Sequence, residues 1–238
     1  MPNGVARVSH PTGNVLLDTL SPRELALLGP SLSLAELQRG AVMIGARDVI
    51  ETVFFPIGGM VSLFCTMANG DAIEVGVVGR EGAIGLPALV SAGMGVITAA
   101  VQLPATAYCI SARALLRFIA LVPAFGQVLA RAGQALFLQV AQSAACIQLH
   151  LLSNRLAKWL LMADDRSGAQ AFGLTHEQLA TLLGVRRAGV SEAMSVLKAA
   201  GVLESANGRV TILDRRQLER SACECYGVIC EQTRRLGP

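Results

Sequence analysis

The stretch 174–201 constrains the fold of this chain most, because two helical patterns meet there at a sharp turn. Thr175 is suited to cap the first helix. Gly184 is suited to form the turn, since glycine tolerates left-handed backbone angles. Apolar residues recur at helical spacing on both sides of the turn: Leu179, Ala180 and Leu183 before it, and Val190, Met194 and Leu197 after it. Two short helices joined in this way are typical of a helix-turn-helix unit.

The second helix of this unit has a polar face opposite its apolar stripe. In a helix-turn-helix, such a face enters the major groove of DNA with its N-terminal residues first. Arg186 and Arg187 stand at that end, and arginine can contact phosphate or guanine. An ordinary helical hairpin with a solvated arginine pair would show the same spacing, so both interpretations remain open on this pattern.

The segment that follows, 201–214, consists of two apolar-rich runs around Asn207 and Gly208. Asn-Gly is the strongest short-range signal for a two-residue β-hairpin. A helix-turn-helix followed directly by a hairpin is a winged helix. Arg209, beside the turn, is either a phosphate contact or a plain surface arginine. The candidate DNA-binding residues are Thr175, His176, Arg186, Arg187, Ala188, Ser191, Glu192, Ser195 and Arg209.

These motifs resemble a known family. Residues 174–203, preceded by NRLAKWLLMADDR at 154–166, are similar to the C-terminal domain of the Crp/Fnr transcription regulators. ILDRRQLERSACECY at 212–226 resembles one bacterial subfamily of that group, and residues 54–85 resemble the sensory domain of the same subfamily. The resemblance covers roughly residues 14–226 and is most specific in its C-terminal part.

The resemblance implies an α+β fold in three parts. We assign residues 14–121 to a β-roll of the cyclic-nucleotide-binding type, 122–152 to a long dimerisation helix, and 153–238 to a winged helix-turn-helix domain. The implied function is that of a homodimeric regulator, which binds a palindromic operator on double-stranded DNA when the β-roll senses a signal. RNA polymerase and an unidentified small-molecule effector are further candidate partners.

The pattern of the N-terminal half agrees with a β-roll. Seven short β-type runs lie between Ser31 and Ser111, separated by Gly, Pro, Asn or Asp. The Asn-Gly-Asp sequence at 69–71 predicts a hairpin turn. Before these runs, Ser21 and Glu24 form a capping-box signal that predicts the start of a helix. Ser111 and Asp214 are likewise suited to cap helices, the second of them a single last helix over 214–236. The helix that begins at Asn154 is expected to break at the Asp-Asp-Arg-Ser-Gly sequence at 164–168.

Residues 79–89 occupy the place where cyclic-nucleotide-binding relatives carry their phosphate-binding cassette. Those relatives use a Glu for the ribose and an Arg-Ser pair for the cyclic phosphate. Here Leu86 stands about where the Glu would be, and 96–98 replace the Arg-Ser region. No Lys or Arg lies between 80 and 113, so a buried phosphate would lack a countercharge. We expect a degenerate effector pocket that does not bind cyclic AMP, with candidate residues Ile84, Gly85, Leu86, Val96 and Ile97.

A long helical pattern follows Pro123 and contains no charged residue from Ala132 to Asn154. Apolar residues along it alternate spacings of three and four, which is the pattern of a coiled-coil seam. The predicted dimer interface comprises Phe137, Val140, Ala144, Ile147 and Leu151. A helix packed on its own β domain would look similar, but the resemblance favours the dimer helix.

The recognition helix departs from the family's best-known pattern. That pattern has Arg-Glu near the start of the helix and an Arg four residues after the Glu, where this chain has Arg187, Ala188 and Glu192. The operator is therefore expected to differ. Glu192 is a candidate acceptor from a cytosine amino group, or an ion-pair partner of Arg186 or Arg187. The alternative function is a ligand or redox sensor that acts through protein contacts without sequence-specific DNA binding.

The charge distribution and the motifs of the sequence indicate which kinds of function to expect: nucleic-acid binding, membrane association, secretion or catalysis. Residues 150–238 hold twelve Lys/Arg against nine Asp/Glu, whereas 1–149 hold eight of each, so the net charge of +3 lies with the helix-turn-helix. This bias suits a polyanionic partner. No apolar run is long enough to span a membrane and the N-terminus lacks a secretory core, so we expect a cytoplasmic protein. No nucleophile–base pair, HExxH or P-loop is present, and no enzymatic activity is expected.

The six cysteines do not form a recognisable ligand set. Cys223, Cys225 and Cys230 cluster near the C-terminus, and Cys146 and His150 lie on one face of a helix. A metal or redox role is conceivable, but the spacing is not the CxxC of common zinc or iron–sulfur sites. We expect structural thiols and an interface histidine, with no metal and no cofactor.

Overall fold

The computed structural model describes residues 12–90, 95, 97–168 and 171–237. Helix α1 (Pro22–Leu28) precedes the β-roll and begins at the predicted capping box, in which Ser21 and Glu24 bond each other's backbone. Among the described residues, no helix is both long and apolar enough to cross a membrane.

All seven predicted β runs are strands, and they form two antiparallel sheets with the orders β1-β7-β3 and β2-β6-β4-β5. The β4–β5 connection contains residues 69–71, so the predicted hairpin turn is confirmed. The strands are β1 Ser33–Leu37, β2 Val42–Ile44, β3 Thr52–Pro56, β4 Met60–Thr66, β5 Ala72–Val78, β6 Thr98–Leu103 and β7 Ala105–Ser111. The four-stranded sheet contributes Ile44, Val61, Leu63, Val78 and Ala99 to one buried cluster, and Phe54 of the three-stranded sheet packs against it. The two antiparallel sheets confirm the predicted β-roll.

Two helices follow the roll. Helix α2 (Ala112–Leu121) is capped by the Ser111 side chain, as predicted. Helix α3 (Pro123–Leu149) packs along β5, where the Gln139 side chain accepts a hydrogen bond from the Val77 backbone N–H at 2.6 Å. The sequence predicts a long helix over residues 122–152. The observed helix ends earlier because the backbone is extended at His150, whose side chain contacts the C-terminal segment.

In its described residues, the C-terminal part contains five helices and a small sheet of order β8-β10-β9. Its elements are α4 Leu152–Ser167, β8 Ala171–Gly173, α5 His176–Leu183, α6 Arg187–Ala199, β9 Leu203–Ala206, β10 Arg209–Ile212, α7 Arg215–Ser221 and α8 Cys225–Arg234. The helix-turn-helix, the wing hairpin and the Asp214 cap of α7 are confirmed.

Two predicted boundaries in this part are wrong. Helix α4 is expected to break at Asp164, but it continues to Ser167, because Arg215 pairs with the carboxylates of both Asp164 and Asp165 and offsets part of their negative charge within the helix. The last helix was expected to be continuous from Asp214. It is two helices, α7 and α8, since the backbone is extended at Ala222.

The β-roll and the C-terminal part share one apolar core. Met60, Val77 and Leu103 of the roll pack in the same buried cluster as Trp159 and Leu160 of α4. This cluster also contains the buried faces of α5 and α6. The helix-turn-helix is therefore held directly against the β-roll.

Candidate nucleic-acid interface

The helix-turn-helix begins with a reciprocal cap and turns at a glycine. The Thr175 side chain accepts a hydrogen bond from the Gln178 backbone N–H, and the Gln178 side chain accepts one from the Thr175 backbone N–H. This arrangement satisfies two backbone donors that the start of a helix leaves free. Gly184 has a φ of 64°, and a Cβ added there would lie 2.5 Å from Cδ1 of Ile73 in β5. A larger residue would therefore strain the turn and press against the β-roll.

Helix α6 has one buried and one exposed face. The predicted core residues are each at most 2 % exposed: Val190, Met194 and Leu197. The exposed face carries Arg186, Arg187, Ala188, Glu192 and Ser195. Among the described residues, the side chains of Arg186 and Arg187 form no ion pair, and the pair considered for Glu192 is not present. The two guanidinium groups are thus available to an external anion.

His176 and Ser191 connect the two helices of the unit. The half-buried His176 places Nδ1 3.0 Å from Oγ of Ser191. The Ser191 hydroxyl also donates to the Arg187 carbonyl at 3.3 Å, and the Ser195 hydroxyl donates to the Ser191 carbonyl at 2.9 Å. Each serine must share or exchange a bond within the helix before it can contact a base. Arg187 carries no such restraint in the described part of the chain.

The wing is a three-stranded sheet. Asn207 and Gly208 both have positive φ, 50° and 70°, as a two-residue turn of this type requires. Arg209 lies exposed beside the turn and pairs with Ala206 on one side and Gly173 on the other. Strand β8, to which Gly173 belongs, was not predicted, because three residues are too few to show a periodic pattern.

Contacts between the β-roll and the DNA-binding part include two arginines that the sequence analysis missed. Arg39 of the loop after β1 donates to the Gly173 carbonyl and, at 3.0 Å, to the Gln178 side chain. Arg166 of α4 pairs with Glu81 at 2.7 Å, and both side chains are largely buried. Neither arginine belongs to a motif, so only the folded chain brings these partners together.

A buried carboxyl group lies at the same boundary. The Trp159 indole N–H donates to Oε1 of Glu74 at 2.8 Å, and the Ser62 hydroxyl is bonded to the other carboxylate oxygen. Burial raises the pKa of Glu74 to about 7, although both hydrogen bonds and the positive charges of Lys158 and Arg166 act against the shift. This glutamate of β5 can therefore change its charge near neutral pH, in direct contact with α4.

The predicted dimer-interface residues differ in exposure. On α3, Phe137 and Ala144 are exposed, with Phe137 at 65 %, whereas Val140 and Ile147 are half-buried against their own chain. Leu151 is exposed but does not belong to the long helix: it stands at the N-cap position of α4, and its assignment to the helical seam is corrected because α3 ends at Leu149. The exposed stripe therefore follows a different register from the predicted seam.

A cavity of about 100 Å³ lies in the β-roll at the predicted effector pocket. Ile84, Gly85, Leu86 and Ile97 line it, as expected, and Val96 lies outside the described residues. The other lining residues are Ile44, Ile50, Leu63, Val78, Ala83, Pro87, Gly95, Ala99 and Leu136. None of the described lining residues carries a charge, so a phosphate would find no countercharge here.

The structure corrects one expectation about the thiols. The sequence places Cys146 and His150 on one face of a helix and Cys223 and Cys225 near the C-terminus, and no spacing pattern joins the two pairs into one ligand set. Folding brings all four side chains together, so that their ligand atoms lie within 4.8 Å of one another.

Two family models match the chain. The cyclic nucleotide-binding domain matches residues 34–121, and the Crp-like helix-turn-helix domain matches residues 154–221. No curated protein matches the sequence significantly.

Solved structures of similar fold match nearly over their whole length. A protein of Eubacterium rectale assigned to the crp/fnr family of transcriptional regulators is 17 % identical, with a TM-score of 0.69 and coverage of 88 % of this chain and 98 % of that one. FixK2 from Bradyrhizobium japonicum is 16 % identical, with a TM-score of 0.67 and coverage of 81 % and 98 %. A transcriptional regulator of the CRP family from Thermus thermophilus is 24 % identical, with a TM-score of 0.63 and coverage of 79 % and 96 %.

A β-roll of the cyclic-nucleotide-binding type, joined by a long helix to a winged helix-turn-helix, defines a class of protein that combines an effector-binding fold with a DNA-binding fold in one chain. Both family matches fall on the domains that the structure shows. The chain belongs to the Crp/Fnr family of transcriptional regulators.

Proposed function

We propose that the chain is a homodimeric regulator that reads a palindromic operator with α6. The observation that carries this proposal is the pair Arg186 and Arg187, exposed at the N-terminal end of a helix whose opposite face is buried. A recognition helix enters the major groove with this end first. Arg209 on the wing is exposed as well and suits a phosphate of the flanking backbone. RNA polymerase remains a candidate partner of the bound dimer.

Dimerisation is supported by the exposed side of α3. Phe137, Ala141 and Ala144 recur there at spacings of four and three, and no charged residue interrupts the helix after Arg131. A large exposed aromatic among small side chains suits close packing against a second copy of the same helix. Two copies joined in this way would present two recognition helices to two half-sites.

The signal is proposed to be a small apolar or neutral molecule in the β-roll cavity. Its described lining contains only apolar residues, proline and glycine. Leu136 of α3 belongs to that lining, so an occupant would touch the proposed dimer helix directly. Binding could then alter the packing of α3 and the separation of the recognition helices. Cyclic AMP is excluded from this proposal because its phosphate would be buried without a cation.

The functional test compares two arginine variants on matched and single-mismatch DNA duplexes. Arg187→Ala should weaken binding to the preferred duplex and remove the preference at one symmetric pair of positions, because a bidentate arginine–guanine contact is worth roughly 1–3 kcal/mol of discrimination. Arg209→Ala should weaken all duplexes alike and reduce the salt dependence. Fluorescence anisotropy at two salt concentrations measures both effects.

Neither side chain belongs to the buried clusters, so both variants should remain folded. If Arg187→Ala loses affinity equally on every duplex, Arg187 is a phosphate contact, and base reading falls to Ser191, Glu192 or Ser195. If the unmodified protein prefers no duplex, the alternative function through protein contacts replaces the proposal.

A further inference from the structure

The C-terminal end of α3 meets the α7–α8 junction at a cluster of three thiols and one imidazole, which we call the Cys3His cluster. Cys146 lies in the last turn of α3, and His150 follows that helix directly. Cys223 lies between α7 and α8, and Cys225 is the first residue of α8. Their four ligand atoms lie within 4.8 Å of one another, and the three cysteines form a small buried cluster of their own.

We propose that the Cys3His cluster is a binding site for a single tetrahedrally coordinated metal ion, and that this ion is Zn²⁺. Three thiolates and one imidazole make up a common set for structural zinc. Metal binding here is independent of whether α6 binds DNA. An ion at this position would join the end of the long helix to the C-terminal helix pair.

The spacing within the cluster agrees with one four-coordinate ion. With Zn–S of about 2.3 Å and Zn–N of about 2.0–2.1 Å, tetrahedral geometry places two sulfurs about 3.8 Å apart, and a sulfur and a nitrogen about 3.5 Å apart. In the structure, the Sγ atoms of Cys146 and Cys223 are 3.6 Å apart, and Sγ of Cys225 is 3.5 Å from Nδ1 of His150. The sulfur pair is too far apart for a disulfide, in which the atoms lie about 2.05 Å apart.

An iron–sulfur cluster fits this geometry less well. Such clusters attach cysteines to different iron atoms and therefore spread the ligand sulfurs more widely than a single ion does. All four ligand atoms here surround one small volume. The arrangement is that of a site for one ion.

The surroundings of the Cys3His cluster match those of zinc sites in two respects. The Glu224 carboxylate lies 3.1 Å from Nε2 of His150, which leaves Nδ1 directed toward the thiols. A carboxylate on the second ring nitrogen orients metal-bound histidines and raises their basicity. The Gln142 side-chain amide also donates to the Cys225 sulfur at 3.1 Å, a contact that stabilises a thiolate.

Charge around the cluster is balanced as well. Zn²⁺ with three thiolates and a neutral imidazole carries one net negative charge. The buried side chains of Lys158 and Arg155 are close enough to interact electrostatically with the Cys146 sulfur. Arg155 also donates to the Leu183 carbonyl at 2.5 Å, at the end of the first helix of the helix-turn-helix. The cluster thus lies one side chain away from the DNA-binding unit.

Cobalt provides the direct test, because Co²⁺ takes tetrahedral thiolate sites and absorbs visible light there, whereas Zn²⁺ does not. Reduced, metal-stripped full-length protein should develop a tetrahedral cobalt spectrum with sulfur-to-cobalt charge transfer, saturate at one ion per chain, and lose the spectrum when Zn²⁺ is added. Cys225→Ser and His150→Ala should lose or alter it. Cys230→Ser removes a thiol from the same segment outside the cluster and should leave it unchanged.

A substitution at an exposed residue separates loss of metal binding from misfolding, which a change within the buried cluster could also cause. Glu224→Gln changes an exposed side chain and should weaken zinc binding about 10–100-fold, as the loss of an orienting carboxylate does elsewhere. Glu231→Gln, at a half-buried glutamate of α8 that pairs with Arg234 and Arg235 rather than with the cluster, is the control and should leave zinc binding unchanged. A wild-type protein without a tetrahedral cobalt spectrum would overturn the proposal. So would saturable binding that Cys225→Ser leaves intact, or a Cys146–Cys223 disulfide that forms under mild oxidation equally fast with and without Zn²⁺.

Discussion

At the scale of single residues, the contact between Glu74 and Trp159 makes the boundary between the two domains sensitive to pH. The pKa of Glu74 rises from its ordinary 4.5 to about 7, mainly because burial removes the carboxylate from water. The folded chain therefore holds this proton to a higher pH than the unfolded chain does. Stability contributed by the protonated group is fully present below about pH 4.5 and is lost as the pH rises through about 7.

We expect the fluorescence of Trp159, the single tryptophan, to change with a midpoint near pH 7, because its indole N–H donates to the titrating carboxyl group. Glu74→Gln should abolish this transition and reduce the loss of stability between about pH 5 and 7 in urea unfolding. Glu36→Gln changes an exposed glutamate of the β-roll and serves as the control. Because all histidines remain in both variants, a transition that survives Glu74→Gln would assign it to another group.

Several residue roles could be predicted from the sequence because their signals are local. The caps at Ser21, Ser111, Thr175 and Asp214 depend on neighbours within three residues, and the structure confirms them. The pair Glu74–Trp159 lies 85 residues apart in sequence and the pair Cys146–Cys223 lies 77 apart. No local sequence pattern predicts a contact between residues so far apart, so these partners can be identified only in the folded structure.

At the scale of elements, the exposed face of α3 can be tested as the dimer interface by a single substitution. Ala144→Glu should convert the dimer to a monomer, because it places a charge on an exposed apolar face with no partner to offset its desolvation. Sedimentation velocity measures the change. Leu27→Glu adds the same charge at an exposed site of α1 and should leave the dimer intact. An Ala144→Glu protein that still sediments as a dimer would place the interface elsewhere.

The uncharged lining of the β-roll cavity can be tested at the same scale by its failure to bind cyclic AMP. Cyclic AMP at micromolar concentration should give no binding heat in titration calorimetry, since the described lining offers no charged group to its phosphate. An uncharged apolar ligand is not subject to this penalty. A saturable one-to-one isotherm with cyclic AMP would show that the pocket argument is wrong.

Elements with strong periodicity were predicted well, and their ends less well. The seven strands of the roll and both helices of the DNA-binding unit follow the sequence pattern closely. The end of α3 and the division between α7 and α8 carry no Gly or Pro signal at the break. Both breaks lie where the two segments contact each other through His150 and Glu224, so tertiary contacts rather than local preference set them.

At the scale of the whole molecule, the sensor fold and the DNA-binding unit are packed as neighbours. The turn of the helix-turn-helix rests on Ile73 of β5, and the start of α5 is bonded to Arg39 of the roll. Strand β5 also supplies Glu74 to α4 and the Val77 N–H to α3. Strand β5 thus contacts the proposed dimer helix α3, helix α4 and the DNA-binding unit. A structural change in the β-roll would therefore act directly on the elements that hold α6.

The central claim is that two copies of α6 read a symmetric DNA site. Selection of duplexes from a random pool by the purified full-length protein, followed by sequencing, tests it most directly. We predict enrichment of a palindrome whose half-site centres lie roughly 34–36 Å apart, one helical turn, as two recognition helices of a dimer require. Recovery of a single unpaired half-site, or of no common sequence at all, would contradict it.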